Sequence, residues 1–98
     1  PSSARELIFA VKLRISALDT GFTRVIFKRD KMVLDFPRAE NKDYYEKVFP
    51  VVLDYIQTYE NIRLVQNKDK LTLVMKISNR EEITDFLWHI KKNIKMSF

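Results

Sequence analysis

The sequence predicts an α+β fold in the order α-ββ-α-ββ-α, with two antiparallel β-hairpins and helices packed on them. Stretches that alternate apolar and polar residues occur in pairs around charged turns, and longer stretches with helical periodicity separate the pairs. The hairpin segment also repeats, because residues 30–34 (DKMVL) recur as residues 69–73 (DKLTL), 39 positions later. The two hairpins could form one four-stranded sheet or two paired ribbons, with the helices on one face.

The composition is typical of a single globular domain covering residues 1–98. Hydrophobic residues make up 46% of the chain and charged residues 32%, and the formal net charge is +5. Such a charge favours encounters with polyanions or acidic protein surfaces. The absence of cysteine excludes disulfides and fits a reducing compartment. No apolar run approaches the ~20 residues of a membrane span, so we expect no membrane partner. The sequence starts with Pro1-Ser2-Ser3, which has neither an initiator methionine nor a signal-peptide pattern, so we expect a fragment of a larger, multidomain cytoplasmic protein.

The first helix is predicted to begin near Ser3 and to end before Gly21. Ser3 and Glu6 match a capping box, and Gly21 can adopt the left-handed conformation that ends helices. Two apolar stripes lie on opposite sides of this helix. The stripe expected to face the sheet consists of Leu7, Ile8, Val11, Ile15 and Leu18. The other consists of Phe9, Ala10, Leu13 and Ala17, and something else should cover it.

Residues 24–28 and 32–36 are predicted to form the first hairpin, and residues 62–66 and 71–77 the second. In each strand every second residue is apolar, which defines one buried face. The first turn, at Arg29, lacks the Asn-Gly pair of tight turns, so we expect a loop of three to five residues. Lysines near the turns, such as Lys31 and Lys70, are interpreted as solubilising charges. Binding of a nucleic-acid duplex would require them all on one side of the domain.

A second helix is predicted between the hairpins, with Pro50 inside its apolar pattern. Because proline cannot continue a regular helix, either a short turn from Asp43 precedes a helix that begins at Pro50, or one kinked helix spans the segment. We favour the first arrangement. The third helix is predicted to begin at the capping pair Asn79 and Glu82. Its apolar stripe consists of Ile83, Phe86, Leu87, Ile90 and Ile94.

No residue pattern predicts catalysis, a metal site or a cofactor site. The single histidine, His89, has no second histidine, cysteine or carboxylate at metal-ligand spacing. Gly21 alone cannot form the glycine-rich loops that bind nucleotide phosphates. Glu81 and Glu82 are explained by their place at the positive end of a helix dipole. We therefore predict no catalytic, metal-binding or cofactor-binding residue and no enzymatic activity for this domain.

Trp88 lies away from the apolar stripe of its own helix, among lysines at helical spacing. It could anchor a protein interface, or it could stack on a base of a single strand beside phosphate-binding lysines. A purely structural interpretation is that Trp88 packs on the second apolar stripe of the first helix. The nucleic-acid hypothesis assigns the binding of RNA or DNA to Trp88, Lys91, Lys92 and Lys95.

The first third of the chain resembles a known family. The resemblance is carried by residues 4–7 (AREL), 11–14 (VKLR), 17–22 (ALDTGF) and 25–28 (VIFK), followed by Lys31 and Met32. These segments resemble the C-terminal domain of bacterial transcription-repair coupling factors, in which a similar helix leads into a hairpin. Over residues 62–98 only the order of strands and helix agrees. The family also has an acidic helix ending in Arg-Phe-Gly upstream of the matched helix, and its contacts cannot be transferred to this chain.

The resemblance implies a regulatory role. These factors are large ATP-driven DNA translocases that displace stalled RNA polymerase and recruit the excision-repair protein UvrA, and their motor lies in other domains. The resemblance implies that this domain docks on the N-terminal region of the same protein and masks the UvrA-binding surface until polymerase is engaged. Such autoinhibition requires an interface of modest free energy rather than a catalytic residue.

Five residues are predicted to form the docking surface. Phe9, Leu13 and Trp88 would be its apolar anchors, and Arg5 and Lys12 would lie at its rim. Without the upstream acidic helix, Phe9 and Leu13 are expected to have less cover than in the family. Burial of both Phe9 and Trp88 would rule this surface out. The alternative function is a small basic RNA- or DNA-binding domain.

Overall fold

The computed structural model of the chain describes residues 2–97, with the side chains of all of these except residues 2, 3, 6 and 95–97. The elements follow the predicted α-ββ-α-ββ-α order. They are α1 (Ser2–Asp19), β1 (Arg24–Lys28), β2 (Lys31–Asp35), a π-helical turn (Tyr44–Val48), α2 (Phe49–Ile56), β3 (Ile62–Asn67), β4 (Lys70–Lys76) and α3 (Arg80–Ser97). The predicted Ser3 and Glu6 capping box lies outside the described side chains. Among residues 2–97, no helix combines the length and the apolar character needed to cross a membrane.

The two hairpins form one four-stranded antiparallel sheet in the order β1-β2-β4-β3 rather than two separate ribbons. Residues 39 positions apart occupy equivalent places in it. Val25 pairs with Leu34 in the first hairpin, and their counterparts 39 residues later pair in the same way. Leu34 and its own counterpart Leu73 lie opposite each other where β2 meets β4. An approximate two-fold axis therefore passes between Leu34 and Leu73, and the repeat seen in the sequence is a structural repeat.

Both hairpins are closed by two-residue loops, so the expected loop of three to five residues is wrong. The loops are Arg29-Asp30 and Lys68-Asp69, and they are also repeat equivalents. The first residue of each loop has a positive φ, +23° for Arg29 and +56° for Lys68. Tight hairpin turns need such a backbone, which glycine or asparagine usually provides. Here an arginine and a lysine adopt it, which is why the sequence carried no tight-turn signal.

The helices cover one face of the sheet, and the core lies between these two layers. Every second strand residue points into it, including Val25, Met32, Leu34, Ile62, Leu73 and Met75. α3 contributes Ile83, Phe86, Leu87 and Ile90, all buried as predicted. Its capping pair also forms, because the Glu82 amide donates to the Asn79 side chain at 3.1 Å and the Glu82 carboxylate accepts from the Ser78 amide at 3.1 Å.

α1 and α2 both pack on α3. The Arg80 guanidinium lies 5.0 Å from the centre of the Phe9 ring, near the start of α3, and Lys91 lies 3.8 Å from Asp19 farther along it. The order of these two contacts shows that α1 and α3 run side by side in the same direction. On the other side of the sheet, none of the helices formed by residues 2–97 covers the strands.

α1 presents the opposite face to the one predicted. Leu13 and Ala17 are buried and Phe9 is half-buried, whereas the stripe expected to face the sheet is exposed. The small side chains of Ala10 and Ala17 let this face approach α3 and β1 closely, which the larger residues of the other stripe would prevent. The second stripe is therefore the one that contacts the core, and the expectation that something else must cover it is wrong.

The segment around Pro50 combines features of both predicted arrangements. Pro50 lies in the first turn of α2, where a missing amide hydrogen leaves no helical hydrogen bond unmade. The preceding residues form a π-helical turn rather than a simple turn, and the amide of Phe49 donates to the carbonyl of Tyr44. This widened turn leads directly into α2, so the helical path continues up to Pro50 without a break.

Candidate interaction surfaces

The exposed apolar stripe of α1 is the first candidate surface. We call it the outer stripe, and it consists of Leu7, Ile8, Val11, Ile15 and Leu18. Leu7 is 68% exposed and Ile15 is 55% exposed, and the other three side chains are exposed to a similar extent, between 44% and 56%. Contiguous apolar side chains on one side of a helix are uncommon at a protein surface unless another molecule covers them. The stripe spans about 16 Å along the helix, at ~1.5 Å per residue.

The second repeat shows that this stripe is not required by the fold. The buried Leu13 of α1 corresponds to the buried Val52 of α2, which confirms that the 39-residue offset extends to the helices. The positions equivalent to the outer stripe are Glu46, Lys47, Pro50, Asp54 and Gln57, and all of them are exposed. Four of these five are polar or charged. The same structural positions therefore tolerate polar residues, so the apolar character of α1 needs an explanation other than folding.

Trp88 belongs to the same outward side of the helix layer. Its side chain is 61% exposed, so the interpretation that it packs on α1 is wrong. It lies on α3 between Arg80 and Lys91, the two residues that contact α1. The Lys92 ammonium group lies 4.8 Å from the ring centre, a cation-π contact that covers part of one ring face.

Of the residues predicted to form the docking surface, the structure places four at or near the surface and one in the core. Arg5 and Lys12 are exposed, and Phe9 is half-buried beneath the guanidinium of Arg80. Leu13 is only 7% exposed, so it cannot contact a partner. The prediction that Leu13 belongs to the docking surface is therefore wrong. Because Leu13 lies at the middle of the face that packs on the core, α1 would have to turn about its axis to expose it.

Trp88, Lys91 and Lys92 of the nucleic-acid alternative share one face of α3, but both lysines already have partners within the domain. Lys91 pairs with Asp19, and Lys92 is held over the ring of Trp88. The side chain of Lys95 lies outside the described residues. A base that stacked on Trp88 from the covered side would have to displace Lys92 first.

The open face of the sheet, which sequence reasoning did not single out, is the second candidate surface. We define it as the strand residues that point away from the helices. They are Arg24, Ile26, Lys28, Lys31, Val33, Asp35, Arg63, Val65, Asn67, Lys70, Thr72, Val74 and Lys76. One signal was available in the sequence, because Arg24 and Lys31 recur as Arg63 and Lys70 at the repeat offset.

The single histidine of the chain, His89, packs against an aromatic side chain. The half-buried His89 ring packs 4.9 Å from the centre of the Tyr55 ring. Within the part of the chain that the structure describes, no group of three or more histidine or acidic side chains could hold a metal ion. Comparisons of the chain with protein-family models, curated proteins and solved structures find no match.

Proposed function

We propose that this chain is a regulatory protein-interaction domain of a transcription-repair coupling factor in the cytoplasm. It docks through the outer stripe of α1 on the N-terminal region of the same protein, and it masks the UvrA-binding surface until RNA polymerase is engaged. The observation that carries this proposal is the apolar outer stripe, at positions where the second repeat is polar. The identity of the partner is inferred from the sequence resemblance of residues 1–36 to this family.

The size of the outer stripe suits a reversible contact. Burying a fully exposed aliphatic side chain contributes about 1.5–3 kcal/mol, and these five side chains are each roughly half exposed. Docking would therefore contribute on the order of 1 kcal/mol per residue, and the loss of translational and rotational freedom offsets much of the total. An interface of this strength can be displaced by a competing contact, as autoinhibition requires.

Charged residues flank the stripe and would orient the partner. Arg5, Lys12 and Arg14 of α1 are all exposed, and Trp88 lies on the neighbouring helix. An exposed tryptophan beside an aliphatic stripe is a common interface anchor. The proposed docking surface thus keeps Trp88, Arg5 and Lys12 from the sequence prediction, and the outer stripe replaces Leu13.

Substitutions copied from the second repeat test the surface. Ile15→Asp and Leu18→Gln introduce the residues that stand at positions 54 and 57, where the fold accepts them. We expect the double variant to bind the N-terminal region at least tenfold more weakly than the wild type, because an apolar contact is replaced by a charge that must be desolvated. Isothermal titration calorimetry measures this difference, and circular dichroism confirms that the variant is folded.

Val65→Thr is the matched control, since it makes an exposed apolar residue polar on the opposite side of the molecule. It should change the affinity by less than threefold. Equal binding by the wild type and the stripe variant would contradict the proposal. So would a wild-type chain that sediments as a dimer while the stripe variant is monomeric, because a second copy would then be the occupant of the stripe.

A further inference from the structure

The net positive charge of the chain is located on the open face of the sheet. Its ionisable side chains are Arg24, Lys28, Lys31, Arg63, Lys70, Lys76 and one carboxylate, Asp35. Together they have a formal charge of +5, equal to the net charge of the chain, so the charges of all other residues balance. Asp35 is already paired with Lys70 at 3.2 Å and accepts a hydrogen bond from Thr72 at 3.3 Å. Among the described residues, the other five basic side chains have no ion-pair partner.

Protection of sheet edges explains only half of these cations, namely Arg24 and Lys28 on β1 and Arg63 on β3. Basic residues often keep edge strands from pairing with other chains, but Lys31, Lys70 and Lys76 lie on the inner strands β2 and β4. Lys31 is directly opposite both Lys28 and Lys76. Like charges at directly opposed positions destabilise a sheet, by roughly 0.2–1 kcal/mol per pair. This row of three lysines therefore opposes folding, and an anionic ligand would relieve the repulsion.

The cations follow the two-fold symmetry of the sheet. Arg24 and Lys70 line one open depression, of about 610 Å³, at one end of the face. Their repeat equivalents, Arg63 and Lys31, line a second depression of about 490 Å³ at the other end. In the second depression Val74 takes the place of Asp35, and Lys76 adds a third cation. Acidic side chains also line both depressions, Asp35 and Asp69 in the first and Asp30 and Glu60 in the second, but basic side chains outnumber them four to two and three to two. The face thus offers two positions of net positive charge in symmetrical orientations.

The width of the open face and the symmetry of these positions are comparable with those of a double helix. β1 and β3 are separated by three strand spacings, or about 14 Å, which is close to the ~12 Å width of the major groove of B-form DNA. The two backbones of a duplex run antiparallel and are related by two-fold symmetry. Dimeric proteins that bind palindromic sites match their own two-fold symmetry to that of the duplex. Two symmetrical pairs of cations can therefore contact both backbones at once. A single strand or an extended acidic peptide has no such symmetry.

The uncharged residues of the open face also exclude stacking on unpaired bases. They are Ile26, Val33, Val65, Asn67, Thr72 and Val74, and none is aromatic. Single-strand binding proteins rely on aromatic platforms, whereas contacts to phosphates need only positive charge. We infer that the open face binds the phosphate backbones of a nucleic-acid duplex, without sequence preference.

This duplex site is independent of the proposed docking surface. The outer stripe lies on the outward side of the helix layer, and the open face lies on the opposite side of the sheet. A protein partner and a duplex can therefore occupy the domain together. Ile15→Asp should leave duplex binding unchanged, so failure of one proposal does not imply failure of the other.

Fluorescence anisotropy of a labelled DNA duplex of about 20 base pairs and arbitrary sequence tests the inference. The 98-residue chain would be titrated at several salt concentrations between about 50 and 200 mM. We expect log K to fall with log salt with a slope of about −4 to −5, because each of five unpaired cations contributes ~−0.9. The triple variant Lys31→Gln, Arg63→Gln and Lys76→Gln should bind at least tenfold more weakly at the lowest salt, with a slope shallower by about 2–3.

The control removes the same number of charges elsewhere. Lys42→Gln, Lys91→Gln and Lys92→Gln include two α3 lysines of the alternative nucleic-acid surface, and this triple variant should lose less than threefold. Equal losses in the two variants would show that net charge alone drives binding, and would overturn the inference. Tighter binding of a single strand of the same length, or of a polyglutamate peptide, would also overturn it. So would a wild-type chain with no anisotropy change at ~100 μM, the weak end of non-specific binding.

Discussion

Gly21 and Tyr44 illustrate how single residues shape this domain. Gly21 ends α1 with φ +111°, and a Cβ atom there would lie 2.5 Å from two carbons of the Tyr44 ring. The glycine is therefore needed both for its backbone conformation and for the space that the ring fills. The Tyr44 hydroxyl is buried, and it has no hydrogen-bond partner among the described residues. Burial raises the pKa of Tyr44 above its usual value, and the nearby Tyr45 contributes in the same direction.

Tyr44→Phe is expected to increase the free energy of unfolding by about 1 kcal/mol at pH 7, because it removes a buried polar group that lacks a partner. The advantage should grow in alkali. Above pH 10 the unfolded wild-type chain releases the tyrosine proton that the folded protein retains, so wild-type stability falls by up to ~1.4 kcal/mol per pH unit. The variant lacks this contribution. Urea denaturation of both proteins at pH 7, about pH 9 and about pH 11 measures the difference.

Tyr59→Phe is the control for this comparison at pH 7, since it removes a hydroxyl from an exposed side chain. The Tyr59 hydroxyl also contributes to the raised pKa of Tyr55, so this control applies at pH 7 and not in alkali. It should change the free energy of unfolding by no more than ~0.5 kcal/mol at pH 7. A Tyr44→Phe variant less stable than the wild type would show that the hydroxyl has a stabilising partner.

At the scale of single elements, the equivalent loops of the two hairpins adopt the same unfavourable backbone conformation. Arg29 and Lys68 both have positive φ, although neither residue type favours it. The flanking strands impose this conformation, because their right-handed twist matches only a few tight turns. The hydrophobic pairing in the strands evidently outweighs the strain in the loops.

Lys68→Gly should increase the free energy of unfolding by about 0.5 kcal/mol. The left-handed conformation costs a residue with a side chain roughly 1–2 kcal/mol, and the greater freedom of glycine in the unfolded chain offsets part of the gain. Thermal and urea denaturation measure the change. Lys68→Ala is the control, because it removes the charge and keeps the strain, and it should have little effect. Equal stabilisation by glycine and alanine would assign the effect to the lysine charge instead.

At the scale of the whole molecule, the two repeats are joined into one cooperative unit. β2 and β4 pair along the approximate two-fold axis, and α3 packs across the sheet and contacts both α1 and α2. Leu34 and Leu73, both 0% exposed, meet at this axis. Neither hairpin can bury its apolar face alone, since each completes the core of the other.

Leu34→Ala should therefore destabilise both hairpins. We expect a loss of about 2–5 kcal/mol in the free energy of unfolding, because the substitution leaves a cavity at the centre of the core. Native-state hydrogen exchange should show the same loss of protection in β3 and β4 as in β1 and β2. Val65→Ala, at an exposed site, should leave protection nearly unchanged. Unchanged protection of the second hairpin in the Leu34 variant would show that the repeats unfold separately.

The sequence by itself determined the order of elements, the repeat, the cap of α3 and the buried face of each strand. These features depend on local periodicity and on short-range hydrogen bonds, which neighbouring residues fix. It also indicated that α1 has two apolar faces, and it identified Trp88 as a residue outside the apolar stripe of its helix.

Only the tertiary structure decided which face of α1 is buried and which cations lie together. Both faces of α1 have helical periodicity, and the choice between them depends on how closely α1 can approach α3 and β1 through Ala10 and Ala17. Similarly, alternation fixes the two faces of one strand, but strand order and register bring Lys28, Lys31 and Lys76 side by side. Local periodicity thus identified the residues of the outer stripe, but its exposure and the grouping of cations on the open face depend on packing between segments that are distant in the chain.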